Sequence, residues 1–77
     1  MGQKIKIDAS FGTKLRILRK ANGYTQEALV AKMQLLNQNI SRSIYSQIER
    51  GTYNIRIGEL RALKEIYNIS YDEFFND

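Results

Sequence analysis

Closely spaced stop signals limit what this chain can become. Gly23, the polar run Asn37-Gln38-Asn39, Gly51 and Asn68 each fall where a helical pattern ends. Glycine and asparagine are the residues that close helices in the left-handed conformation. Between these stops the apolar residues recur three and four positions apart, the period of an amphipathic helix. Each run is short, so the helices must share one core. The chain therefore reads as all-α, a compact five-helix bundle.

The first run, Phe11 to Asn22, aligns Phe11, Leu15 and Leu18, with Ser10 as N-cap and Gly23 as stop. The second begins after Thr25 as N-cap and extends from Gln26 to about Leu36, with Ala28, Leu29, Met33 and Leu36 as its apolar stripe. A third is opened by Ser41 and closed by Gly51. The fourth, residues 57–67, turns Leu60, Leu63, Ile66 and Tyr67 inward and ends at Asn68. Ser70-Tyr71-Asp72-Glu73 is a capping box that opens the last helix and brings Phe74 and Phe75 to the core. Lys4-Ile5-Lys6-Ile7 alternates like a strand with no obvious partner run. Residues 1–9 are thus either an arm that packs Ile5 or Ile7 on the bundle or a tail, and residues 10–77 are the domain.

Composition narrows the chemistry. There is no cysteine and no histidine among the 77 residues, which removes disulfides, thiolate metal sites, the cysteine nucleophile and the commonest general base. The five tyrosines and eight acids show no spacing that pairs a nucleophile with a base or builds a metal site. No enzymatic activity, metal or cofactor is expected. A small domain without disulfides, a signal peptide or an 18-residue apolar run is expected to be cytoplasmic and not membrane-bound.

Charge is unevenly divided. Residues 1–56 carry ten Lys/Arg against three acids, and residues 57–77 carry two against five. A basic front and an acidic rear suggest that one face meets a polyanion.

The run Ser41 to Arg50 gives that face a location. On a helical wheel Arg42, Ser43, Ser46, Gln47 and Arg50 share one side, and Ile44, Tyr45 and Ile48 share the other. The polar side holds no acid, because Glu49 falls on the border, where it is expected to turn inward to an arginine of another helix. Arginine can pair with guanine O6 and N7 and glutamine with adenine N6 and N7. Serine is short enough to let a helix approach the groove floor. The preceding helix, the polar turn and this helix together form a helix-turn-helix. Gln26, at the head of the first of the two, stands where a helix N-terminus favours a phosphate.

These residues carry a resemblance. Leu15-Arg16-x-x-Arg19-x-x-x-Gly23-x-Thr25-Gln26-x-x-Leu29, followed by Ser41-Arg42-Ser43-x-Tyr45-Ser46-x-Ile48-Glu49-Arg50-Gly51, resembles the phage Cro and repressor family of helix-turn-helix proteins, also called the xenobiotic-response-element (XRE) family. Leu60-x-x-Leu63 and Ile69-Ser70-Tyr71-Asp72-Glu73-Phe74 fit its last two helices, so the likeness covers about residues 10–75. It implies a lambda-repressor-like fold and sequence-specific binding of double-stranded DNA by a small transcriptional regulator, a repressor, acting as a homodimer on a palindromic site. By the same resemblance Arg42, Ser43, Ser46 and Gln47 contact bases. Thr25, Gln26, Arg50, Tyr53 and Asn54 contact phosphates, and Arg19 and Glu49 form a structural salt bridge. The stretch from Leu29 to Glu49 is longer than the family's usual spacing. The surplus falls at Gln34 to Asn39 and implies an extended second helix or a longer turn, with Asn39 as the left-handed residue between the helices.

An alternative is an antitoxin-like or protein-interaction module that meets another protein through Ile69, Tyr71, Phe74 and Phe75. Those side chains equally complete a thin core. RNA readers usually show stacking aromatics on the binding face, and here only Tyr53 is near it.

Overall fold

The computed structural model describes residues 4–5 and 9–75. Five helices follow one another: α1 (Ala9–Ala21), α2 (Gln26–Leu35), α3 (Arg42–Arg50), α4 (Ile57–Tyr67) and α5 (Tyr71–Phe75). Two short strands, β1 (Lys4–Ile5) and β2 (Ile55–Arg56), pair antiparallel with Lys4 opposite Arg56 and Ile5 opposite Ile55. The segment that lacked an obvious partner in the sequence thus finds one between α3 and α4. A two-residue strand is too short to show alternation, so Ile55–Arg56 carries no pattern to read. The side chains of Ile5 and Ile7 lie outside the described residues.

The helix ends follow from their caps. Thr25 Oγ1 accepts from the Ala28 N–H at 3.0 Å, and Ser41 Oγ from the Ile44 N–H at 3.1 Å. Caps of this kind contribute about 1 kcal/mol each. Ser70 and Glu73 exchange side-chain to backbone hydrogen bonds at 3.3 Å, closing the capping box at α5. At the other ends Gly23, Asn37, Gly51 and Asn68 all have positive φ, between 53° and 77°. Each donates to the carbonyl three residues back while the next residue donates to the one five back, as in Gly23 to Lys20 and Tyr24 to Arg19. This is the Schellman arrangement.

Two boundaries differ from expectation. Ser10 lies inside α1, which begins at Ala9, so it is not the N-cap. The left-handed residue after α2 is Asn37 and not Asn39, because α2 ends at Leu35 and the position after its cap falls at 37. The surplus residues are shared. Gln34 and Leu35 extend α2, and a six-residue connection, 36–41, precedes α3. That connection is pinned by Ile40, 3% exposed, whose carbonyl accepts from Gln34 Nε2 at 3.0 Å.

Leu15, Leu29, Met33, Tyr45, Ile48, Ile55, Leu63 and Phe74 are fully buried and form the core. Along α2 the buried residues are Leu29, Val30 and Met33, whereas Ala28 is exposed and Leu36 half-buried. Apolar residues fall on every side of this helix, so periodicity does not select its inner face. Phe75 stays outside the core, stacked on Phe11 with ring centroids 5.5 Å apart.

Candidate nucleic-acid interface

α3 is held at a distance from α1 that only glycine permits. Gly12 is buried, and a Cβ there would lie 2.7 Å from the Ile48 carbonyl oxygen and overlap that of Glu49. Tyr45 and Ile48 insert into the core from the inner side of α3, and Ile44 packs against it half-buried. On the outer side Arg42, Ser43 and Arg50 are exposed, and Ser46 and Gln47 are half-buried. The surface thus shows guanidinium, hydroxyl and amide groups without a carboxylate among them.

Glu49 turns away from that surface. Its carboxylate accepts from Arg19 Nε at 2.7 Å and Nη2 at 3.2 Å, a two-pronged ion pair with side chains 5% and 10% exposed. Arg19 also donates to the Tyr24 carbonyl at 2.9 Å, and Gln26 Nε2 donates to Glu49 at 3.2 Å. Burial pushes the Glu49 carboxyl up, but the hydrogen bonds from its neighbours, Arg19 foremost, outweigh burial and hold it below the usual carboxylate range. The same hydrogen bond raises Arg19 further, so both stay charged. The Tyr45 and Tyr67 hydroxyls lie buried beside this pair, and burial foremost raises both.

A groove opens between α1, the start of α2 and α3. Thr25, Gln26, Arg42, Ser46 and Arg50 line it, with Arg19 and Glu49 at its floor. Gln26 commits one amide hydrogen to Glu49 and retains a second donor. Ser43 and Gln47 are not part of this lining and sit on the neighbouring arc of α3. In the loop after α3, Asn54 is exposed and Tyr53 leans half-buried on the core. Burial first and the charge of Glu59 second raise the Tyr53 hydroxyl. Thr52 anchors this loop by donating its N–H to the Gln47 carbonyl at 3.0 Å.

Arg16 and Lys20 also line the groove, and sequence reasoning missed them. A wheel shows that they share a face of α1 but not that this face borders α3. Gly12, one turn before Arg16 on the same face, was the available signal. Glu27 is the acid on the groove's rim.

Among the described residues no three His, Cys, Asp or Glu gather as metal ligands, and no helix is long and apolar enough to cross a membrane. A family profile described as helix-turn-helix matches residues 15–74. No curated protein and no solved structure matches the chain.

Proposed function

Since the chain belongs to the helix-turn-helix family of Cro and repressor (XRE) proteins and is a DNA-binding regulator, we propose that it is a sequence-specific transcriptional repressor of the cytoplasm, inserting α3 into the major groove of double-stranded DNA. The observation that carries this reading is the acid-free outer side of α3. Arg42, Ser43, Ser46 and Gln47 project there while Glu49 is drawn inward by Arg19. Those four are the base contacts, and Thr25, Gln26, Arg50, Tyr53 and Asn54 are the phosphate contacts. Gln26 donates its second amide hydrogen. No catalysis, metal or cofactor enters.

The molecule spans 31 × 29 × 22 Å, less than the ~34 Å between half-sites one helical turn apart. Two copies therefore fit side by side on one face of the duplex, which supports a homodimer on a palindromic site.

Selection of bound duplexes from a random pool, followed by a salt titration on the winner, tests the function. A binding constant that falls steeply with salt, together with a large preference for the selected site, is expected. Salt-sensitive binding indifferent to sequence would defeat the repressor reading. Arg42→Ala is expected to relax discrimination at one base pair, at a cost of about 1–3 kcal/mol. Equal weakening on every duplex would make Arg42 a phosphate contact instead.

One observation favours the second reading, an antitoxin-like or protein-interaction module. Ile17 is 63% exposed and Phe75 54%, and Ile17 lines an apolar groove with Leu18 and Ile69 between α1 and α5. Under that reading Arg42→Ala leaves binding of the protein partner intact.

A further inference from the structure

Arg16 and Lys20 stand one turn apart on α1, both exposed, with about 5–6 Å between Cβ atoms of residues so spaced. Across the groove they face the row Arg42, Ser46 and Arg50. Among the described residues none of these four cations has an ion-pair partner. Arg19 and Glu49 cancel at the floor, so among the described residues Glu27 is the single uncompensated acid lining the groove beside four uncompensated cations. Like charges around one groove repel unless an anion sits between them, and such a groove concentrates anions from solution. The close packing at Gly12 is what brings α1 near enough for its cations to share a groove with those of α3.

We propose that α1 is a backbone clamp in which Arg16 and Lys20 bind the sugar-phosphate strand bordering the major groove that α3 enters. The strand runs along α1 toward Arg50, and Arg42, Ser43, Ser46 and Gln47 on α3 are left to face base edges. This assignment rests on the DNA reading above and adds a helix to it. Contacts of this kind fix the register and tilt of α3 on the duplex and carry no sequence information.

The double variant Arg16→Gln/Lys20→Gln removes both charges from exposed positions and keeps long, helix-favouring side chains. Binding is measured against salt on the selected duplex and on an unrelated one, with folding checked by thermal melting. Each neutralised phosphate contributes about 0.9 to the slope of log Kobs against log salt, so the slope is expected to fall by roughly 2 on both duplexes. The ratio of selected to unrelated affinity stays the same. Arg61→Gln on α4, away from the groove, leaves the slope at its original value, and Arg16→Lys restores most of the Arg16 share. An unchanged slope in the double variant overturns the clamp, as does a loss confined to the selected duplex. If the unsubstituted protein itself shows no salt-dependent binding, the DNA reading fails and the clamp fails with it. A steep native slope unaffected by the double variant overturns the clamp alone.

Discussion

Arg19→Ala is expected to remove most of the protein's stability at room temperature. The substitution strips the Glu49 carboxylate of both arginine hydrogen bonds inside a site where that side chain is 5% exposed, and it frees the Tyr24 carbonyl. Removing one partner of a buried pair costs about 3–5 kcal/mol, because the other charge stays buried without compensation. A small domain has roughly 5 kcal/mol to lose. Urea titration followed by circular dichroism reads the loss directly, and a change below about 1 kcal/mol would show that the pair is solvated and dispensable. The linked pH dependence has a definite sign. The Glu49 carboxyl titrates lower in the folded protein than in the unfolded chain, so its stabilisation is complete above the ordinary carboxylate value of about 4.3 and is lost as pH falls through the depressed folded value. Glu49→Gln lacks that component, and its stability deficit relative to the native protein narrows with acidification.

Gly12→Ala should destabilise the protein, although the same change in an exposed helix stabilises by about 1 kcal/mol. The new methyl group would meet the backbone carbonyls of Ile48 and Glu49, atoms that cannot rotate aside. The helices must separate, a misfit of the kind that costs about 1–3 kcal/mol, occasionally more. In a domain of this size each kcal/mol moves Tm by about 4–8 °C. A variant melting at or above the native temperature would mean that α1 and α3 do not approach as closely as described. Because Glu49 contributes both a contacted carbonyl and the carboxylate held by Arg19, the two substitutions act on one junction, and their effects should not add.

What could be read beforehand was whatever depends on neighbours in sequence. Thr25, Ser41 and the Ser70–Glu73 box start helices by local hydrogen bonds, and Gly23, Gly51 and Asn68 end them by a local backbone conformation. The two-sided character of α3 was equally plain, because its polar and apolar residues separate cleanly around the axis. Properties set by distant parts of the chain were hidden. Gly12 looks like a blemish in a helix until the α3 backbone is placed against it. Val30 and Ala28 are indistinguishable on a helix whose apolar residues are scattered round its axis, so which is buried depends on the packing of neighbouring helices. Arg16 and Lys20 read as solvated charge because the sequence does not say what α1 faces.

The division of α3 into an inner side that holds the fold and an outer side that holds none of it has an evolutionary consequence. Substitutions at exposed Arg42 and Ser43 touch neither the core nor the Arg19–Glu49 pair, and surface changes of that sort usually alter stability by no more than about 0.5 kcal/mol. Lineages can therefore drift from one target sequence to another without passing through unfolded intermediates. The scaffold tolerates rewriting where its message is carried, and resists it two positions past Gln47, at Glu49.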